Sequence, residues 1–456
     1  MTKPGQMTIT PISITPSLDP QLFDPYLSDL KQLFSATRPA ADVARSAAFV
    51  AALDGQPSRE LRKLYSLHDL RQTGTYFTGS DLTAKVIAPV VAEISSFERI
   101  IDPSCGAGDL LVGAARHLPL LPTLSQTLKL WGKRLTGFDI NSSFVATTRV
   151  RLALLAMQRL NLGSGTTAST DIELYFPNIR LQSGLDDWEV PAGRHLILSN
   201  PPFSHTQSPL KCEWANGRVS CAAVFVTKCL AQADHGSRLI AILPDVLRTG
   251  SRYVRWRKQV EECSNAMSVE ILGRFDKQTD IDVFVLDATC SQSAGMASTW
   301  CMPTPVESTI GDLFEVHVGP VVGFRLNGQG PWHTFLHSSE LPIDGKASDF
   351  ATSIRFQGKT YEPPFVAVRR TSKAEYKTRC LATLVTGRSP LAVDDHLLIV
   401  SPKDGKVSTC KRLLKVLADA QTTTWMNARI RCRHLTVSAL RDVPWIGGPE
   451  DEQSQL

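Results

Sequence analysis

Long apolar runs are missing from this 456-residue chain; nowhere do 18 apolar residues follow one another, which excludes a helical membrane span. Residues 1–17 are rich in Thr and Pro and lack a charged segment followed by an apolar one, so no standard secretory signal is expected. None of the ten cysteines stands in a Cys-x-x-Cys pair, which leaves zinc knuckles and dithiol redox chemistry without a ligand frame. A chain of this length needs no disulfide staples, and the cysteines are expected to be reduced in a cytoplasmic protein. Internal repeats and long low-complexity segments are also absent. With 43% apolar against 20% charged residues, the chain buries a sizeable interior, and a disordered or fibrous polymer is excluded.

What is present is organised in parts. The length exceeds one usual hydrophobic core, so two or three domains are expected. The net charge of +5 is mild but unevenly spread. Residues 351–445 hold 17 Lys and Arg against 7 Asp and Glu, a surplus of ten that leaves the remainder of the chain acidic by five. One part therefore faces a polyanion. Residues 1–70 read as a flexible lead and a small helical segment, with Leu27, Leu30, Leu33 and Phe34, then Val43, Ala47, Val50 and Leu53, at helical spacing. Pro39 and the Gly55–Pro57 stretch break it. Residues 71–300 alternate short β-branched runs with helical stretches. Strands are expected at Phe97–Ile101, Leu135–Phe138, His195–Ser199, Arg238–Leu243, Val269–Leu272 and Val283–Leu286, with helices at Leu110–Leu118 and Phe144–Leu162. Nearly continuous apolar strands alternating with helices predict an α/β fold with a doubly wound, mostly parallel sheet. A linker is expected at Ser291–Ser298. Residues 301–456 then read as a basic α+β domain, with strands at Phe365–Val368 and Leu397–Val400 and a helix at Lys411–Ala420.

Two constellations carry chemistry. In the first, a strand ends at Asp102 and runs through Pro103-Ser104-Cys105-Gly106-Ala107-Gly108 into a helix near Asp109. Glycines there let backbone approach a ligand, and strand ends of an open α/β sheet are where ligands bind. The next strand ends at Asp139-Ile140-Asn141, and an acidic strand end suits a two-oxygen grip on ribose hydroxyls. Together Asp102 and Asp139 point to a nucleoside-containing cofactor. The three-glycine dinucleotide fingerprint is lacking, although NAD stays open on these residues alone. In the second constellation the apolar strand Leu196–Leu198 runs into Ser199-Asn200-Pro201-Pro202-Phe203. Two prolines fix φ and remove two donors, so the local carbonyls are held rigidly. An Asn amide oxygen beside such a carbonyl offers two acceptors to an exocyclic amino group, and Phe203 offers a face for a planar base.

On these residues the chain resembles the amino-group DNA methyltransferases that use S-adenosylmethionine, in particular the N6-adenine enzymes with the γ order of motifs (Type I modification subunits and related Type II enzymes). Gly74-Thr75-Tyr76-Phe77-Thr78, Asp102–Gly108, Asp139 and Asn200–Phe203 occur in that order, followed by a basic domain. The stretches Gly236–Pro244 and Phe275–Val285 are similar as well. The likeness covers residues 65–290 well and 305–445 loosely. It implies a Rossmann-like class I methyltransferase core, S-adenosylmethionine as cofactor and double-stranded DNA as partner. It also implies roles. Tyr76, Phe77 and Thr78 would lie along the methionine part of the cofactor, with Asp102, Pro103, Cys105, Gly106 and Gly108 at the same end. Asp139 would hold the ribose and Ile140 would pack near the adenine. Asn200 and the Pro201 carbonyl would bind the target amino group, with Pro202 stiffening the turn and Phe203 stacking on the base. Cys105 reads as a packing residue rather than a nucleophile, and no metal is called for.

The chain departs from the pattern at Gly79, where the family usually has Pro, and in Leu181–Asp186, where an acidic contact to the cofactor adenine is usual. The gap from Gly108 to Asp139 is long and is expected to hold an insertion through Pro119–Trp131. Expected phosphate contacts are Arg369, Arg370, Lys411, Arg412, Arg429, Arg431 and Arg433, with Trp425, Asn427 and His434 among them. His68, His195, His235 and His317 read as structural. The segment before the motifs is short for a nuclease, so the expectation is a modification enzyme without cutting activity, with room for a separate restriction or specificity subunit. Rival readings are an RNA or protein-glutamine methyltransferase, which share Asn-Pro-Pro-Phe, a DNA-binding subunit without turnover, and an NAD enzyme.

Overall fold

A computed structural model of the chain describes residues 18–35, 46–162, 171–209, 212–276, 278–291, 300, 307–326, 328–342, 345–348 and 350–446. The expected arm at 7–15, Pro39, Val43 and most of the expected 291–298 linker lie outside the described residues. The chain divides into two compact units, Met1–Trp300 and Cys301–Leu456.

In the first unit the described strands are β1 (Arg99–Asp102), β2 (Leu135–Asp139), β3 (Ile179–Leu181), β4 (His195–Ser199), β5 (His205–Gln207), β6 (Arg218–Ser220), β7 (Arg238–Pro244), β8 (Ser264–Arg274) and β9 (Asp282–Cys290). Seven of them form one sheet in the order β3-β2-β1-β4-β7-β9-β8, parallel from β3 through β7, with β9 reversed. Burial on both faces explains the apolar text of β1, β4 and β7, the last six residues of β7 being buried. The chain runs outward from β1 to β3, then returns to β4 beside β1 and continues the other way. That reversal opens a crevice above the carboxyl ends of β1 and β4. For parallel strands joined in this order the usual right-handed crossovers carry the helices of the two halves to opposite faces, as in a doubly wound sheet.

Register decides depth at that crevice. Asp102 pairs with Gly137 and Ile101 with Ile197, so Asp139 and Asn200 both stand two residues further out than Asp102. At about 3.3 Å per residue the difference is one layer of side chains.

The helices Asp24–Ser35, Ala47–Leu53, Gln56–Leu64 and Leu67–Thr73 confirm the helical text before the sheet. Their Tyr26, Leu30, Phe49 and Leu61, with Phe23 just before them, belong to the same buried cluster as Phe144, Leu152 and Leu155 from the helix Ser142–Arg159. Gly55 and Pro57 start a helix there as well as ending one: Gly55 caps Gln56–Leu64, and Pro57 sits in the first turn, where its missing N–H costs nothing. The long gap before Asp139 holds a second helix, Leu124–Arg134. Among the described residues no helix is long and apolar enough to cross a membrane.

The second unit is α+β. Its described strands are β10 (Phe314–Val318), β11 (Trp332–Leu336), β12 (Gly345–Ala347), β13 (Ser353–Arg355), β14 (Phe365–Arg369), β15 (Ala382–Val385), β16 (Leu391–Val393) and β17 (Leu397–Pro402). They form a five-stranded sheet, β10-β17-β14-β15-β12, and a three-stranded one, β13-β11-β16. Where one helix was expected at 411–420 there are two, Val407–Ala418 and Ala420–Arg429. Asp419 separates them, its carboxylate accepting from Gln421 N at 2.7 Å to cap the second.

Candidate active site

The loops leaving β1, β2 and β4, together with the 73–77 segment, enclose a cleft lined by Gly74, Tyr76, Phe77, Pro103, Ser104, Gly106, Asp139, Ile140, Ser183, Gly184, Asn200 and Pro202, among others. Five hydrogen bonds set the first wall. Cys105 N donates to Phe138 O at 2.9 Å, tying the glycine turn to β2. Gly106 N donates to Asp139 Oδ2 at 2.9 Å, and Asn141 N to Asp139 Oδ1 at 2.9 Å. Each carboxylate oxygen thus keeps a lone pair for a ligand hydroxyl. Thr148 Oγ1 fixes Gly106 O at 2.8 Å, and Ser104 N donates to Asp102 Oδ1 at 3.0 Å. Gly106 adopts φ +51°, and a Cβ there would come within 2.9 Å of the Phe77 ring, so this turn has no room for a side chain.

Burial tunes the acids. It raises Asp139 to about 6 against the N–H bonds of Asn141 and Gly106, which favour the carboxylate. It raises Asp102 to about 8, with Asp139 and Asp109 adding to the shift. The Cys105 thiol is pushed well up by burial and by the same two strand-end acids, Asp139 and Asp102, which leaves it unsuited to nucleophilic work.

The second wall is the Asn200 turn. Asn200 Nδ2 donates to Tyr76 O at 2.9 Å and to Thr78 Oγ1 at 3.1 Å. A carbonyl can only accept, so the amide is oriented with its nitrogen toward Tyr76. Asn200 Oδ1 is then left buried with no hydrogen-bond partner. Phe203 N donates to Gly74 O at 3.0 Å, drawing the two segments together. The closeness is extreme at Gly74: with φ +68°, a Cβ there would lie 2.2 Å from Ser204 N. Phe203 packs with Tyr76 (centroids 6.0 Å) and Phe275 (5.6 Å), so the three rings form one cluster.

The geometry thus brings Tyr76, Phe77, Pro103, Gly106, Asp139, Ile140, Asn200 and Pro202 to one cleft. It does not bring all the expected residues there. Asp102 is 2% exposed, one layer below the rim for the register reason given above. Cys105 is buried and packs against Gly137, while Gly108 faces Thr148. Thr78 acts through Asn200. Pro201 is buried, and Phe203 turns to the ring cluster. From the Leu181–Asp186 stretch, Ser183 and Gly184 reach the wall and Asp186 does not.

Residues 63–260 match the family model described as N-6 DNA Methylase. Over this segment, somewhat under half of the chain, the sequence is similar to that family. Among curated proteins, no sequence matches the chain. Solved structures similar to it include a modification subunit assigned to a type I restriction enzyme from Vibrio vulnificus YJ016 (17% identity, 52% of this chain and 51% of that one, TM-score 0.36). Another is the type I restriction-modification methyltransferase subunit from Streptococcus thermophilus (16% identity, 52% and 50%, TM-score 0.33). A third is the type IIG restriction endonuclease BpuSI (11% identity, 95% and 71%, TM-score 0.41). The chain spans about half the length of the first two.

Two charged residues that brace the cleft, Arg151 fully buried and Arg62 half-buried, escaped the sequence reading. Arg151, 1% exposed, pairs with Asp109 at 2.8 Å and donates to Ala52 O at 2.8 Å; Asp109 Oδ2 in turn accepts from Gly79 N at 2.8 Å. The pair locks the glycine turn to the segment after Thr78. Arg62 forms an ion pair with Asp276, whose carboxylate also accepts from Gln278 N and Thr279 N at 2.7 Å, fixing the loop after Phe275. Helical Arg151 and Arg62 look like surface charges in sequence, and only their partners reveal them.

In the second unit the expected phosphate contacts fall into groups. The Thr371–His434 bridge brings the strand end carrying Arg369 and Arg370 beside the loop carrying Arg431 and Arg433. Buried Arg379 supports that loop through the carbonyls of Arg431 and Cys432. Arg369 donates to Leu341 O at 2.9 Å and Arg370 to Asp395 O at 3.2 Å. Lys411 and Arg412 sit on the helix Val407–Ala418, Lys411 exposed and Arg412 over the Trp445 ring at 5.3 Å. Arg429 pairs with Asp442 at 3.3 Å. Trp425 packs on the core, and Asn427 is tied to Ala374 O at 2.9 Å.

Proposed function

We propose that this chain is a DNA methyltransferase that moves a methyl group from S-adenosylmethionine to adenine N6, with the γ order of motifs, as the modification component of a restriction-modification system. In this reading residues 71–300 are the catalytic domain, residues 301–456 are the recognition domain, and the protein works in the cytoplasm on double-stranded DNA. A separate restriction or specificity subunit is part of this reading.

The observation that carries the proposal is the buried, partnerless Oδ1 of Asn200 at the edge of a cleft whose other wall is Asp139. An unsatisfied buried acceptor costs about 1–3 kcal/mol, which a ligand N–H restores. Residues at the cleft fit the cofactor: Asp139 has lone pairs for ribose hydroxyls, Gly106 leaves backbone open, and Ile140 offers an exposed apolar edge. When bound, S-adenosylmethionine supplies an electrophilic sulfonium methyl. Asn200 Oδ1 and the Pro201 carbonyl accept the two hydrogens of the target amino group and orient its lone pair. Extruding the base from a duplex costs a few kcal/mol of unstacking, offset by stacking on Tyr76, the ring of that cluster that lines the cleft. Rate then comes from positioning and from dipoles fixed before the reaction.

The test is Asn200→Ala. The variant is expected to lose methyl transfer by about 100-fold or more while binding the cofactor as before. Unchanged turnover would overturn the assignment.

A further inference from the structure

A charged feature of the first unit lies outside the basic third of the sequence, and its meaning rests on the DNA reading above. β5 and β6 form a hairpin that begins two residues beyond Phe203, with His205 opposite Ser220 and Gln207 opposite Arg218. At its base, Cys221 N donates to Ser204 O at 2.9 Å, so the hairpin continues directly from the Asn200 turn. It is docked rather than loose. Ser220 N donates to the Tyr253 hydroxyl at 3.0 Å, Trp214 packs on Tyr253 (centroids 6.2 Å), and Arg252 Nη2 donates to Asn216 O at 2.7 Å.

This docking gathers cations. Arg218 on β6 and Arg252 and Arg255 in the segment after Gly250 are all exposed. The Arg252–Asn216 bond ties Arg252 to the stretch just before Arg218, and His205 on the facing strand is held below the usual imidazole range by burial and then by the charges of Arg218 and Arg252. None of the three arginines has a carboxylate partner among the described residues. Lys258, further along the same helix, is engaged with Glu262 at 3.7 Å and is left out. Three exposed guanidinium groups on braced backbone match the spaced, forked hydrogen-bond acceptors of a phosphodiester chain.

We infer that Arg218, Arg252 and Arg255 form a DNA-backbone grip on the catalytic unit itself, which holds phosphates beside the extruded nucleotide. The basic third sets affinity from a second place; this grip acts next to the chemistry. Because phosphate contacts carry no sequence information, the grip serves any site that the enzyme reads.

The experiment uses the full chain and a fluorescently labelled 30-base-pair duplex, with Kd measured from 50 to 200 mM salt. Arg218→Gln/Arg255→Gln is expected to weaken binding and to lower the slope of log Kd against log salt by about 1.8, two contacts at about 0.9 each. Lys129→Gln/Lys133→Gln, two exposed lysines on the helix Leu124–Arg134, removes the same charge and is expected to leave the slope in place. Equal slopes for the wild type and the arginine variant, or equal losses in both variants, overturn the grip. A wild type that methylates DNA but shows such a result sinks only this inference. A wild type that neither binds nor methylates DNA sinks the functional reading with it.

Discussion

Asn200 donates both amide hydrogens inward, to the Tyr76 carbonyl and the Thr78 hydroxyl, and keeps its oxygen as a free acceptor. The side chain therefore has one usable orientation, and only an amide provides it. A carboxylate at this position would set an oxygen against the Tyr76 carbonyl instead of a donor. Asp139 poses the complementary question of charge. Its ordinary value is 3.8, and burial lifts it to about 6, so the carboxylate that the proposal assigns to the ribose hydroxyls gains on the acid as pH rises through that value. Cofactor affinity should accordingly rise as pH increases from about 5 to about 7, and Asp139→Asn should flatten that dependence. Calorimetric titrations across this range check it; an Asp139→Asn variant with the wild-type pH profile contradicts the role.

At the scale of elements, the cleft depends on two loops clamped at Gly74. A methyl group there meets the backbone at Ser204, and φ +68° disfavours any side chain. Gly74→Ala should destabilise the protein by about 1–3 kcal/mol and depress methyl transfer, because the Asn200 turn must move away from Tyr76. Thermal unfolding and turnover measured together check this, and an unperturbed variant would contradict the clamp. Elements of this kind were unequally legible in the sequence. β4 was readable to the residue, because burial of all five positions leaves the apolar run Leu196–Leu198 between His195 and Ser199. β8 was readable only in part: it lies at the edge of the sheet, where partial exposure mixes polar residues into eleven positions. Asp139 and Asn200 were recognisable as strand-end residues. That Asp102 lies a layer deeper was not, since relative register is absent from a one-dimensional pattern. Nor could Arg151 be told from a solvent-facing arginine, because its partners come from residues 42 and 99 positions away.

For the whole molecule, charge is divided between the parts. On the proposed reading, the 17 basic residues of 351–445 against 7 acidic ones make DNA affinity an electrostatic quantity. Binding of the intact chain to duplex should weaken steeply with salt, each neutralised phosphate contributing about 0.9 to the logarithmic slope, while cofactor affinity stays nearly flat. A flat DNA response would remove the basic third from the interface. The most direct measurement, however, concerns the transferred group. The intact protein is incubated with methyl-labelled S-adenosylmethionine and duplex DNA, RNA or protein, and each product is digested and its modified component identified. The account predicts label in DNA, as N6-methyladenine. Label confined to RNA or to protein side chains, or found on another DNA base, would contradict it.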